Sequence, residues 1–164
     1  MPVKKRSTFV FSSLLWILQL VVACSSSSQS IQGEQWVVFS AEQASEQSLG
    51  DWLVTNNQSP EYWTPSEGDV EALENGLVTF LQSNPESFYG GTPVWERLDE
   101  YNRQYIGMNL DGKRIIYANY FCDSAGSDWR KGFVFVMDGG DCFFQFKYDV
   151  NSAEFFDLQV NGVA

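Results

Sequence analysis

Residues 101–121 read YNRQYIGMNLDGKRIIYANYF, a long apolar-rich segment, a two-residue turn signal and a second segment of similar length. Tyr101 to Leu110 reads as a β-strand, and Arg114 to Phe121 as its antiparallel partner. Asp111-Gly112 joins them, a dipeptide that suits a tight hairpin because the central positions of such turns take positive φ. Working outward, Asp138-Gly139-Gly140 separates a further strand-like run, Gly132 to Met137, from Cys142 to Tyr148. Val150-Asn151-Ser152-Ala153 separates that run in turn from Glu154 to Val160. In the fourth of these segments Cys142, Phe144, Phe146 and Tyr148 share one face, with Phe143, Gln145, Lys147 and Asp149 on the other. That alternation predicts a sheet with one face in the core and one largely wet.

Upstream the period changes from 2 to 3.6. Val70, Leu73, Leu77, Phe80 and Leu81 fall on one helical face between Ser66 and Ser83, and Pro65 and Pro85 bracket the ends. Gly76 inside this helix costs about 1 kcal/mol relative to Ala, or else it permits a close packing contact. Gln35 to Ser40 has strand composition, residues 41–48 suit a turn of helix or a loop, and residues 55–66, with Asn56, Asn57, Pro60 and Pro65, read as an irregular connection. The expected fold class is α+β: one main helix packed on a twisted antiparallel sheet of four or five strands, within a single domain over 35–164. Cystatin-like and nuclear-transport-factor-like folds share this outline, a likeness of architecture alone.

Composition closes several functional classes. The 164 residues include no histidine, which excludes Ser-His-Asp, Cys-His and His-metal chemistry. The 10 basic residues include Lys4, Lys5 and Arg6; a chain beginning at Cys24 keeps seven against 21 acidic residues, a formal charge of −14. Such a surface repels phosphate backbones, so nucleic acid is not an expected partner.

Lys4, Lys5 and Arg6 precede a mostly apolar run, Thr8 to Ala23, that spans roughly 24 Å as a helix, short of a hydrocarbon core of about 30 Å. Val21-Val22-Ala23-Cys24 resembles the lipobox of a bacterial lipoprotein precursor. The resemblance implies a signal peptide over 1–23, Cys24 as the acylated residue, and lipid anchoring to a bacterial membrane, the outer membrane or cell surface being favoured. An ordinary cleaved signal and an uncleaved signal anchor are the alternatives. Ser25-Ser26-Ser27-Ser28-Gln29-Ser30 follows, so residues 24–34 read as the lipidated cysteine and a flexible tether.

Export places Cys122 and Cys142 where cysteines pair, yet the predicted strands conflict with pairing. If 113–121, 132–138 and 142–149 form a simple meander, the two cysteines stand at strand ends roughly 23 Å apart. A disulfide tolerates about 7 Å between Cα atoms. Either the strand order is not a plain meander or the bridge does not form.

Candidate chemistry is sparse. Asp138, Asp141, Asp149, Asn151 and Glu154 offer oxygen ligands, but their spacing matches no calcium loop and suits ordinary turns, so no metal or cofactor is expected. Asp99 with Glu100, or Asp138 with Asp141, are carboxylate pairs of the kind acid–base catalysis uses only when burial separates their pKa values. Tyr101, Tyr105, Tyr117, Tyr120 and Trp129 are candidates for a glycan or peptide groove, although cross-strand packing accounts for them more simply. The segments Tyr62-Trp63-Thr64-Pro65, Arg103-Gln104-Tyr105-Ile106-Gly107, Asp138-Gly139-Gly140-Asp141-Cys142-Phe143-Phe144 and Val160-Asn161-Gly162-Val163-Ala164 resemble a family of small bacterial proteins of unknown function. That resemblance implies a single domain and no activity. The expected function is a membrane-anchored, non-enzymatic module that binds an envelope protein or the cell-wall polymer, with a small carboxylate- or Tyr-based hydrolase as the alternative.

Overall fold

The computed structural model describes residues 30–53, 60–124 and 126–163; Cys24, the signal segment and the tether up to Gln29 lie outside the described residues. The elements in chain order are β1 (Ile31–Gln32), β2 (Trp36–Val38), α1 (Ala41–Glu46), β3 (Glu61–Trp63), α2 (Glu67–Gln82), β4 (Asn102–Leu110), β5 (Lys113–Phe121), β6 (Phe143–Asp149) and β7 (Glu154–Val160). They form one sheet in the order β1-β2-β4-β5-β6-β7, with β3 also paired to β4. The expected hairpin is its centre, an unbroken register from Leu110↔Lys113 to Asn102↔Phe121.

The α+β class with one main helix holds among the described residues, but their sheet has seven strands rather than four or five, and it is mixed. β2 lies parallel to β4 at Arg103–Tyr105, whereas β3 lies antiparallel to it at Gly107–Asn109. Three of the strands have only two or three residues, too few to leave a periodic signal. Ile31 and Gln32, which the sequence reading places in the tether, pair with Val38 and Val37. β3 lies within the connection expected to be irregular, and Gly107 allows its approach: a Cβ there would stand 2.3 Å from the Trp63 carbonyl oxygen.

Helix α2 starts at a reciprocal cap. Ser66 Oγ accepts from the Asp69 N–H at 3.2 Å, and Asp69 Oδ2 accepts from the Ser66 N–H at 2.9 Å, satisfying two otherwise orphaned donors. Val70, Leu73, Leu77 and Leu81 are buried against Tyr105, Ile116, Ala118, Tyr120, Phe144 and Phe146. Gly76 serves close packing: a Cβ there would meet the Phe155 ring at 2.7 Å.

The opposite face is not largely wet. Val37, Phe39, Ile106, Met108, Ile115 and Tyr117 form a second core with Ala44 of α1 and Leu49, while Phe121, Val134 and Phe143 form a third cluster. The central strand β5 is therefore buried on both faces over its last seven residues. Here the Gly132–Met137 segment departs from expectation. It forms no strand, but crosses this second face as part of the connection from β5 to β6. With it removed from the ladder, β5 pairs directly with β6, Phe121 opposite Phe143. The cysteines then sit at adjacent strand ends, bonded with Cα atoms 5.1 Å apart, and the Cys122 N–H donates to the Cys142 carbonyl at 2.9 Å. The strand order is therefore not a plain meander of the three expected segments, and it brings the two cysteines to disulfide distance.

Candidate functional site

The hairpin register places Gln104 opposite Asn119, Asn119 lies opposite Gln145, and Gln145 lies opposite Gln159. Four amide side chains thus form a row across β4, β5, β6 and β7 on the face away from α2. The first three side chains are linked: Asn119 Nδ2 donates to Gln104 Oε1 at 3.1 Å, and Gln145 Nε2 donates to Asn119 Oδ1 at 3.2 Å. Burial decreases along the row, from Gln104 at 0% exposure and Asn119 at 2% through half-buried Gln145 to exposed Gln159.

The buried half of the row holds main chain. Gln104 Nε2 donates to the carbonyls of Trp129 at 2.6 Å and Gly132 at 2.9 Å, and Gln104 Oε1 accepts from the Val134 N–H at 2.9 Å. Asn119 Nδ2 donates to the Val134 carbonyl at 2.9 Å. Side-chain amides satisfy these backbone groups where a neighbouring strand would otherwise do so. Farther along, Asn161 Nδ2 donates to the carbonyls of Val136 at 2.6 Å and Asp138 at 3.0 Å.

The open half of the row lines a cleft of about 320 Å³, within the lower range of ligand pockets. Gln145, Gln159 and Asn161 contribute amides, Tyr117, Phe133 and Val160 contribute apolar walls, and Trp52, Phe135 and Met137 stand at its border. The Trp52 ring meets Tyr117 edge-on at 5.3 Å and Phe135 at 6.0 Å, yet it remains 49% exposed, with Phe135 at 65% and Met137 at 81%. Among the described residues, none that lines the cleft carries a formal charge. An ion pair beside Gln159 neutralises itself: Lys147 Nζ lies 2.6 Å from Asp157 Oδ2. That hydrogen bond holds the Asp157 carboxyl below the usual range, while Asp157 Oδ1 accepts from Gln159 Nε2 at 3.4 Å.

A second polar cluster lies under α2. Glu74 Oε1 accepts hydrogen bonds from the hydroxyls of both Tyr105 and Tyr120, whose oxygens are 3.0 Å apart. Arg103 Nε lies 3.6 Å from the same oxygen, with its guanidinium over the Tyr120 ring at 5.5 Å. Burial, with the Glu74 charge reinforcing it, pushes the Tyr105 hydroxyl far above its ordinary pKa, and burial does the same to Tyr120. Phenols held neutral and already donating to a carboxylate are poor nucleophiles and poor bases at neutral pH. The cluster instead ties α2 to the sheet.

The other sequence candidates are dispersed. Asp141 Oδ1 accepts from the Tyr89 N–H, Asp149 Oδ1 accepts from the Asn151 N–H and faces Lys113, and Glu100 pairs with Arg97. Among the described residues, no group of three or more His, Cys, Asp or Glu is placed to hold a metal ion. Tyr101, Tyr105 and Tyr120 are core residues, and Trp129 packs edge-on against Phe121; of the five aromatic candidates only Tyr117 lines the cleft. Sequence reasoning missed the amide row, although its first pair was within reach. Counting outward from the Asp111-Gly112 turn pairs Gln104 with Asn119 on one face. No protein-family model, curated protein or solved structure matches this chain. As an arrangement of chemical groups, the cleft offers hydrogen-bond donors and acceptors without charge, beside exposed aromatic and apolar surface.

Proposed function

We propose that the chain is an envelope lipoprotein, anchored through acylated Cys24, whose folded domain is a non-enzymatic module that engages its partner at the cleft beside Trp52 and Phe135. The carrying observation is the uncharged lining of that cleft, in a chain whose formal charge from Cys24 is −14. A surface free of charge in so acidic a domain suits contact with a neutral partner, and exposed Trp52, Phe135 and Met137 supply the apolar contact typical of a recognition patch. The order of basic segment, apolar run and cysteine supports the anchor, and no described helix is long and apolar enough to cross a membrane. The acidic surface argues against nucleic acid.

Native mass spectrometry of the protein extracted in detergent from its own membranes tests both halves. The expected species begins at Cys24, carries acyl mass and retains a partner that Trp52→Ala and Phe135→Ala release. A bare mass beginning elsewhere overturns the anchor. A partner unaffected by both substitutions, or no partner at all, overturns the assignment of the cleft.

A further inference from the structure

We infer that the open end of the amide row, Gln145 and Gln159, binds the main chain of an extended, uncharged segment of a partner protein. This rests on the reading of the cleft as the binding site and names what it holds.

The molecule contains the precedent. Gln104 and Asn119, the buried half of the row, meet the carbonyls of Trp129, Gly132 and Val134 and the N–H of Val134. A carboxamide has two donors and two acceptor sites, the complement of a peptide group. Gln145 and Gln159 continue that row in register, but the chain that crosses the first two amides leaves these two at the cleft. Each has given one Nε2 hydrogen, Gln145 to Asn119 and Gln159 to Asp157, and presents to a ligand its other N–H and its Oε1, groups of the kind that seat a polypeptide on the neighbouring strands.

The walls favour a peptide over a sugar. Val136, Val160 and Met137 border the amides, and alternate side chains of an extended peptide fill such apolar positions while its main chain meets the polar ones. The apolar surface also continues past the cleft. Val163 is exposed next to Gly162, and Val163 and Tyr89 both border Gly140, whose N–H donates to the Gly162 carbonyl. A strip of this kind fits an extended segment better than a single ring. The uncharged lining of the cleft, with Lys147 and Asp157 neutralising each other beside Gln159, selects a segment whose side chains there are neutral, because an unpaired charge would have to be desolvated.

The probe is a capped pentapeptide of alternating valine and threonine, added at millimolar concentration to the full-length protein in detergent. The readout is the NMR shift of the Gln145 and Gln159 side-chain amides. The expected result is saturable movement of both, about fivefold to tenfold weaker binding to Gln159→Leu, the equivalent of one hydrogen bond, and no binding of the same peptide N-methylated along its backbone. Equal binding of the N-methylated peptide overturns the inference, since main-chain donors are then unused. Binding of an N-acetylglucosamine oligomer in place of the peptide also overturns it, assigning the cleft to a glycan. If neither probe binds while a partner released by Trp52→Ala is still recovered from membranes, the amide-row inference fails and the module reading stands. Loss of that partner as well removes both.

Discussion

Gln104→Leu is the substitution that most directly tests how the cleft wall is held. Gln104 is fully buried, and its four hydrogen bonds to Trp129, Gly132, Val134 and Asn119 use the whole capacity of a carboxamide. Leucine matches its bulk and makes none of them. At about 1 kcal/mol net per bond, the loss is about 4 kcal/mol, a large share of the 5–15 kcal/mol that holds a small domain together. Three of the partners are backbone groups that must then find water, so the crossing segment should lift from the sheet before the domain unfolds globally. Urea unfolding measures the first effect, and hydrogen exchange at the Val134 N–H measures the second. Gln104→Glu adds a signed control. Its carboxylate keeps acceptor oxygens but loses both donors, and burial raises its pKa above the unfolded value. The protonated form is favoured in the fold, so this variant should be most stable at low pH and lose stability as pH rises through the folded pKa. A Gln104→Leu protein destabilised by less than about 1 kcal/mol, with Val134 exchange as slow as in the parent, would refute the role given to this side chain.

Three further outcomes follow from the packing. Replacing Cys122 and Cys142 together by serine should lower stability by about 3 kcal/mol, because the bridge closes a loop with a sequence separation of 20; thermal melts of the variant and of the reduced parent should agree. Gly76→Ala should destabilise by about 1–2 kcal/mol in urea despite the better helix propensity of alanine. The new Cβ meets Phe155 at 2.7 Å, and that ring is confined by Phe80 at 4.9 Å and Tyr148 at 4.7 Å; a higher urea midpoint would show that the ring yields. Burial raises the hydroxyl pKa of Tyr105, Tyr117 and Tyr120, and pushes Tyr101 up to about 12. These neutral phenols stabilise fully below pH 10 and the contribution is lost above it, as the unfolded chain ionises first. The limiting slope is about 4 kcal/mol per pH unit for Tyr105, Tyr117 and Tyr120 together, and the tyrosinate absorbance of these buried residues should rise in step with unfolding rather than ahead of it.

Legibility in the sequence tracks the length and periodicity of each element. The run from Val70 to Leu81 announces α2 because five apolar residues recur at helical spacing between two prolines, and the β4–β5 hairpin is legible from nine-residue strands around Asp111-Gly112. β1, β2 and β3 are too short for such a pattern, and their place in the sheet is set by tertiary contacts such as the approach of Trp63 to Gly107. The helix α1 carried a sign in Ser40 and Gln43, which form a reciprocal cap, but six residues are few to weigh against a loop. The amide row is harder still. Gln145 and Lys147 look alike as polar residues on an outward face, and only the register between strands shows that Gln145 continues a line from Gln104 while Lys147 pairs with Asp157.

The misreading of residues 132–137 and the apparent conflict over the disulfide have one physical origin. Phe133-Val134-Phe135-Val136 has strand composition because it is an unbroken run of aromatic and β-branched residues that suits an extended chain, Val134 being buried and Phe135 exposed. Composition reports that conformation but not what satisfies the backbone. In a ladder the partner is another main chain, whereas here it is the side chains of Gln104, Asn119 and Asn161. Counting the segment as a strand inserts it between β5 and β6, drives Cys122 and Cys142 apart, and leaves bare the face that the segment crosses. Once the amides take over the role of the missing ladder, β5 and β6 close on each other, the cysteines meet, and the crossing segment is left above the sheet with its amide supports extending beyond it to Gln159. The disulfide and the cleft are thus consequences of the same substitution of side-chain amides for a strand, which is why a single change at Gln104 should disturb the cleft wall while leaving the Cys122–Cys142 bond formed.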